Sequence, residues 1–327
     1  MQKRIPFFIA LIVALVLPQA SGGTVSPLIW GFFGHRLINR LAVYTLPAPL
    51  FRFYKAHLSY MEEHAADPDK RRYAVVGEAE CHFIDLDQYG DHPDSIRKML
   101  PLRWKDAVEK WSEPALRQHG IGPWNTYRVF LKLQKAFEER DTDRILRCSS
   151  ELGHYIGDMH VPLHTTRNYN GQLTGQNGIH GLWESRLPEL FAESYKLYPA
   201  KAVLVNDPQT AVWNIVFESH ALLNKVFSAE DSLSKLFPDS KYGFENRGAV
   251  VQKVYSTGFS KKYQQAMDNM IEQRMIQAVN FLGNMIYTAW VNAGQPDLST
   301  GVSRKVRVTD SDTLVSPQKA LKLRDHE

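Results

Sequence analysis

Apolar residues recur at helical spacing in most segments of the chain after Trp30, and long alternating patterns typical of β-strands do not occur. The pattern predicts an all-α fold. Helices are expected near 34–46, 49–64, 95–111, 124–139, 142–161, 180–196, 208–227 and 260–292. Proline and glycine mark the connections between these segments, most densely in 168–178.

The first 23 residues follow a different pattern. Lys3 and Arg4 precede an apolar run from Ile5 to Leu17, and small residues come next. This is the layout of a secretory signal peptide. The run is also shorter than the roughly 20 residues that span a bilayer. We therefore predict that residues 1–23 are a signal peptide and that the protein is exported, to the periplasm or the extracellular space.

Composition and charge narrow the class of protein. With 44% hydrophobic residues among 327, the chain can bury one large core or two small ones, and we expect a single domain over 30–295. Residues 299–327 are polar and lack periodicity, which predicts a mobile tail. Loss of Lys3 and Arg4 lowers the formal net charge from +4 to +2. Charge alone therefore does not indicate a nucleic acid or membrane partner.

Two cysteines, Cys81 and Cys148, are too few for a disulfide framework. An oxidising compartment permits one bridge between them. The sequence does not place their Cα atoms within bonding reach, so one disulfide and two separate thiols both remain open.

Residue types that commonly bind metals are concentrated in 154–164, which reads HYIGDMHVPLH. His154 and Asp158 are four positions apart, so on a helix they share one face and can bind one ion. His164 lies beyond Pro162, where the helix must end or kink. Its imidazole can therefore turn toward a second ion.

The segment GIHGLWESRLPEL repeats this spacing, because His180 and Glu184 are again four positions apart. One such pair is more often a surface hydrogen bond than a metal site. Two pairs and a further histidine within 31 residues favour a metal site. The nitrogen and oxygen ligands are of the kind that zinc accepts, although they also suit manganese or iron.

Four segments resemble the metal-binding segments of one superfamily: WGFFGHRLINRLAVYTLP at 30–47, CHFIDLD at 81–87, HYIGDMHVPLH at 154–164 and IHGLWESRLPE at 179–189. That superfamily contains the bacterial zinc-dependent phospholipases C and the fungal single-strand-specific nucleases. The order and spacing match over roughly 30–190. The resemblance implies one helical domain with a trinuclear zinc cleft.

The resemblance also implies the ligands of each zinc ion. The first ion would be bound by Asp67, His82, His154 and Asp158, the second by Trp30, His35 and Asp158, and the third by His164, His180 and Glu184. Trp30 would bind through a free α-amino group and its carbonyl. Asp69 is an alternative to Asp67, and only the spacing to His82 favours Asp67.

Further residues acquire roles from the same resemblance. Asp67 would accept a proton or orient the nucleophile. Lys70 would lie near the phosphate, although an ordinary solvated charge explains it equally well. Phe83 and Asp85 resemble residues that stack on and hydrogen-bond a nucleic acid base. His160 is expected on the other side of its helix, in a supporting role.

We therefore expect an exported zinc-dependent phosphodiester hydrolase that uses a metal-activated water and acts on single-stranded nucleic acid. A phospholipase C acting on phospholipid head groups is the alternative, favoured by Glu184 and the short 165–179 segment. A non-catalytic zinc-binding helical protein is a third possibility. No stable protein partner is predicted.

Overall fold

The structure is a computed structural model that describes residues 32–247 and 250–299. The described chain is mostly helical and contains one short β-hairpin, so the prediction of a predominantly helical fold is confirmed. The predicted signal peptide, Trp30 and the tail after residue 299 lie outside the described residues.

The helices differ widely in length. They are α1 Phe32–Ala42, α2 Ala48–Ala56, α3 Leu58–Glu63, α4 Asp67–Arg71, α5 Pro93–Met99, α6 Trp104–Trp111, α7 Glu113–Gln118, α8 Gly122–Glu139, α9 Thr142–Met159, α10 Leu187–Phe191, α11 Pro208–Ala221, α12 Leu223–Leu236, α13 Thr257–Ala266 and α14 Met270–Asn292. A π-helical turn, Gly181–Arg186, precedes α10. None of the helices within the described ranges is long and apolar enough to cross a membrane.

Helices α8 and α9 form a tight antiparallel pair at the centre of the fold. Arg140 ends α8 in the left-handed conformation, with φ of 54°. Asp141 then caps α9, because its side chain accepts a hydrogen bond from the backbone N–H of Arg144 at 3.1 Å. At its other end α9 stops at Met159, three residues before Pro162. This fixes where the helix presents His154 and Asp158.

Several predicted helices are broken into shorter ones. The segment predicted over 260–292 divides into α13 and α14, because Asp268 and Asn269 take left-handed φ angles of 50° and 60°. The segment predicted over 95–111 divides at Leu100, since proline disfavours the helical conformation in the residue before it and Pro101 follows directly. Apolar periodicity continues across such breaks, so the pattern alone does not locate them.

The β-hairpin was not predicted. It consists of β1 Tyr242–Arg247 and β2 Val250–Tyr255, which pair in antiparallel register from Tyr242 opposite Tyr255 to Arg247 opposite Val250. Its base is fixed to α12 by Glu230, a fully buried carboxylate that pairs with Lys241 at 2.7 Å and accepts a hydrogen bond from Tyr255.

The buried apolar residues form two clusters. The first surrounds α8, α9 and the second half of α14 and includes Tyr155 and Met159. The second includes Val161, Leu163 and Trp183 together with residues of α12 to α14. The residues with metal-binding side chains in α9 and in the segment after it therefore lie where the two clusters meet.

Cys81 and Cys148 are both buried free thiols. Burial raises the pKa of Cys81 to about 12 and that of Cys148 to about 11. Both thiols therefore stay protonated at neutral pH. Of the two possibilities left open by the sequence, the structure has the separate thiols.

Candidate metal centre

One group of ligand-type atoms combines α9 with the 3₁₀ turn Ala79–His82. His82 Nδ1 lies 2.9 Å from Asp158 Oδ2 and 3.0 Å from His154 Nε2. Asp69, on α4, places Oδ1 3.6 Å from both His82 Nδ1 and His154 Nε2. Four side chains from three elements therefore converge on one buried point.

A second group shares Asp158 with the first. Whereas Asp158 Oδ2 faces His82 and His154, Oδ1 lies 3.4 Å from His35 Nε2 on α1. The same His35 nitrogen lies 3.5 Å from Glu184 Oε1. Because the two oxygens of Asp158 face different groups, this carboxylate is positioned to bridge two ions.

The third group comes from the segments after α9. His164 Nε2 lies 3.2 Å from Glu184 Oε2, and His180 Nε2 lies 2.5 Å from the same oxygen. His164 belongs to the 3₁₀ turn Pro162–Thr165, and Glu184 to the π-helical turn. The i,i+4 relationship between His180 and Glu184 is therefore realised in a helix start, as the sequence predicts.

The second ring nitrogen of several histidines is fixed by a hydrogen bond. His154 Nδ1 lies 2.9 Å from the carbonyl oxygen of Ala65, and His164 Nδ1 lies 2.5 Å from that of His82. A carbonyl only accepts, so each Nδ1 carries a proton, and Nε2 of the neutral ring would present its lone pair to an ion. This tautomer is the one that metal-bound histidines use.

In these groups, carboxylates and histidines stabilise each other's charged forms. Burial would raise the pKa of Asp69 and Glu184, but neighbouring histidines hold both well below their usual range. Conversely, burial lowers the pKa of His35, yet the Glu184 hydrogen bond and the charge of Asp158 outweigh it and raise the value to about 9. Without a metal ion, the buried carboxylates are thus stabilised by positive charge on histidine.

These features fit zinc. Four sets of three residues each have ligand atoms within 4.8 Å of one another: His82, His154 and Asp158; His35, Asp69 and His154; His35, Asp158 and Glu184; and His164, His180 and Glu184. Atoms around one zinc ion are about 3 to 4 Å apart, given bond lengths of about 2.0–2.2 Å. All the donors are imidazole nitrogens or carboxylate oxygens. The described chain therefore contains buried clusters of histidine and carboxylate side chains that could hold metal ions, and zinc is compatible with them.

The preference for Asp67 over Asp69 is not supported by the structure. Asp67 lies at the start of α4, where it contacts His64 at 2.5 Å and Lys70 at 2.7 Å. Two helical positions differ by about 200° in direction, so Asp67 and Asp69 cannot serve the same point. Lys70 is half exposed and pairs with Asp67. Neither Asp67 nor Lys70 belongs to a ligand group within the described chain.

The predicted base-recognition residues are buried. Phe83 is only 6% exposed, and the backbone of Gly120 lies so close to its ring that a Cβ there would clash. Asp85 is 5% exposed. Stacking on a base, the role that the resemblance implies for Phe83, requires an exposed ring face, and the burial of Phe83 argues against that role. His160 belongs to none of the ligand groups within the described chain, and its Nδ1 lies 2.7 Å from the carbonyl oxygen of Ile156.

Two supporting features were missed by the sequence reasoning. Glu78 Oε1 lies 3.5 Å from His82 Nε2, the nitrogen that faces away from the ligand group. Arg71 donates to Glu78 at 2.8 Å and to Glu151 at 2.7 Å, which holds Glu78 in place. The i,i+4 spacing of Glu78 and His82 was visible in the sequence.

Gly157 is the other missed feature. It lies where α9 passes closest to His35, and a Cβ at Gly157 would be 2.7 Å from His35 Nδ1. The glycine in HYIGDMH therefore allows α1 to bring its histidine up to Asp158.

Comparison with known proteins adds no family to these observations. No protein-family model matches the chain, and no curated protein matches it.

Proposed function

We propose that the protein is an exported, zinc-dependent phosphodiester hydrolase with the helical architecture of the phospholipase C and single-strand-specific nuclease superfamily. The observation that carries this proposal is the sharing of Asp158 between two adjacent ligand groups, with the third group next to them through Glu184. Adjacent cation sites of this kind suit in-line displacement at a phosphate.

The partial exposure of some ligand-type side chains favours an enzyme over a protein that stores zinc. The side chains of His82 and His154 are fully buried, and that of Asp158 is 1% exposed. In contrast, the side chains of Asp69 and Glu184 are 19% and 13% exposed. The groups therefore open to solvent through two carboxylates, which gives a substrate a route of approach.

Different residues of the chain would have different roles in the reaction. Zinc ions in these groups would supply Lewis acidity and a source of hydroxide at neutral pH. Asp69, as the most accessible carboxylate of the first group, is positioned to accept a hydrogen bond from the attacking water and orient it. Asp158 holds the first two groups together, and Glu78 and the carbonyl of Ala65 orient the histidines.

Single-stranded nucleic acid is the substrate we favour, because the DMHVPLH and WESRLPE segments lean toward the nucleases of the superfamily. Phospholipid is the second candidate. It is supported by Glu184, since the phospholipases have glutamate at this position, and by the burial of Phe83, which removes one argument for base recognition.

Hydrolysis of single-stranded DNA and of phosphatidylcholine by the zinc-loaded chain tests the proposal. We expect nucleotide release from DNA and none with the His154→Ala variant. His160→Ala serves as the matched control, since it replaces a histidine six positions along the same segment that belongs to no ligand group.

Release of diacylglycerol without DNA cleavage would instead identify a phospholipase C. If the folded, zinc-loaded protein hydrolyses neither substrate, the phosphodiesterase proposal is wrong.

A further inference from the structure

A cavity of about 400 Å³ lies between α6 and the first half of α8, apart from the ligand groups. Four cationic side chains line it, those of Arg103, Lys105, Arg117 and Arg128. None of the described residues that line it is acidic. The charged residues that line this concave place are therefore all cationic, although carboxylates outside the lining lie within 4.0 Å of three of them.

Three of these cations remain available to a ligand. Arg117 is neutralised by Glu113 at 2.7 Å and Glu80 at 3.1 Å. The exposed Arg103 and Lys105 meet their nearest carboxylates only at 4.0 and 3.9 Å. Arg128 donates to the Asn125 side-chain oxygen at 2.6 Å and, within the described chain, contacts no carboxylate.

Two buried donors in the cavity wall have no hydrogen-bond partner within the described chain. They are Nε1 of Trp124 and Nδ2 of Asn125, on residues that are 5% and 2% exposed. Unpaired buried donors are costly, but both atoms are closed off from solvent, so a ligand in the cavity would reach them only if side chains of the wall moved. The feature of the cavity that indicates an anionic ligand is therefore its set of cations, of which Arg103 and Lys105 are only weakly paired and Arg128 contacts no carboxylate within the described chain.

Aromatic rings complete the lining. Trp104 and Tyr127 are half buried at the cavity, and Trp104 meets Trp124 edge to face with ring centroids 5.5 Å apart. Cations that follow a backbone and rings on which bases stack are the two components of single-strand binding sites. The quaternary ammonium of a choline head group is itself cationic, so Arg103, Lys105 and Arg128 would repel it.

The cavity is joined to the metal-binding part of the fold. The backbone N–H of Ile121, in the cavity wall, donates to the carbonyl of Glu80 at 2.7 Å, and that of Gly122 donates to the carbonyl of Phe83 at 2.9 Å. Both acceptors lie within two residues of His82. A ligand held here is thus anchored to the segment that supplies a metal ligand.

We propose that this cavity binds a stretch of single-stranded nucleic acid outside the reaction site, with phosphates on Arg103, Lys105 and Arg128 and a base on Trp104. This inference rests on the proposed nuclease function for its choice of ligand. It extends that function by assigning a separate binding site for the strand.

Binding of a fluorescent oligothymidylate with phosphorothioate linkages to the zinc-loaded full chain tests the inference. Anisotropy is measured over a salt series, and the oligonucleotide is checked for integrity afterwards. The variants are Trp104→Ala and the triple variant Arg103→Ala, Lys105→Ala, Arg128→Ala. Arg52→Ala, which removes an exposed arginine on α2, is the matched control.

Trp104→Ala should weaken binding about fivefold to hundredfold, the range for removal of one stacked base. The triple variant should lower the slope of log affinity against log salt by about 0.7 for each phosphate that is no longer neutralised by a cationic side chain. Arg52→Ala should change neither quantity.

Wild-type affinity and slope in both cavity variants, with folding confirmed by circular dichroism, would overturn the inference. So would binding of anionic phosphatidylglycerol vesicles, in place of DNA, through these residues. Because binding is measured without turnover, a lower affinity in the variants supports the site even if the protein hydrolyses no DNA.

Discussion

Asp69 Oδ1 lies 3.6 Å from His154 Nε2, whereas Asp67, two residues earlier on the same short helix, turns outward to His64 and Lys70. This relationship places the carboxylate of Asp69, and not that of Asp67, beside His82 and His154. It also separates two residues that the spacing of the sequence left in competition.

Asp69→Asn should therefore weaken zinc binding by more than about 100-fold, because even residues that only support a metal ligand contribute about 10- to 100-fold. Asp67→Asn is the matched control and should bind zinc as the wild type does. Competition with a chelator measures both affinities. If Asp67→Asn loses zinc and Asp69→Asn retains it, this assignment is wrong.

Gly157→Ala should displace His35 and reduce the zinc content of the second group. Alanine favours a helix interior over glycine by about 1 kcal/mol, so helix propensity alone predicts a more stable protein. However, the new Cβ would lie 2.7 Å from His35 Nδ1. Zinc content by mass spectrometry and the free energy of unfolding measure the outcome.

Gly258→Ala is the control, because the nearest atom to its new Cβ is Ser256 Oγ at 4.0 Å. We expect its zinc content to be unchanged. Equal zinc content in the two variants would show that the approach of α1 to α9 does not depend on Gly157.

The features that the sequence predicts are those set by local helical spacing. His154 and Asp158 lie on one face of α9, and His180 and Glu184 meet at a helix start, because helical spacing is a local property. Helix α9 begins and ends close to the predicted places. Asp141 caps its start, and Pro162 follows shortly after its end.

Contacts between segments that are far apart along the chain cannot be predicted from local spacing. The choice between Asp67 and Asp69 depends on how α4 is rotated against α9. The burial of Phe83 depends on the close approach of Gly120, which is 37 positions away along the chain. The hairpin contacts Glu230 of α12, a buried charge whose partners Lys241 and Tyr255 lie 11 and 25 positions away along the chain.

Glu78→Gln should lower zinc affinity about 10- to 100-fold, since removing the charge that faces the outer nitrogen of a histidine ligand has effects of this size. Burial lowers the pKa of His82, but the bonds to Asp158 and Glu78 outweigh it and raise the value to about 9. Chelator competition measures the affinity. Glu80→Gln is the control, because Glu80 pairs with Arg117 instead. Equal affinities in the two variants would contradict this role for Glu78.

Glu230→Ala should destabilise the protein by about 3–5 kcal/mol, the cost of leaving one partner of a buried ion pair alone. Glu230 is fully buried and binds Lys241, Tyr255 and Gln176. Asp231→Ala removes only an exposed pair with Lys235 and should cost less than about 1 kcal/mol. Urea unfolding of both variants measures the difference. A destabilisation below about 1 kcal/mol in Glu230→Ala would show that the hairpin is held by other contacts.

The zinc content of the purified, folded full chain tests the central claim most directly. We predict three zinc ions in the wild type, the loss of two in Asp158→Asn, which serves two groups, and the loss of one in His164→Ala. A folded wild-type chain that binds no zinc, or an Asp158→Asn variant that retains all of it, would contradict the account.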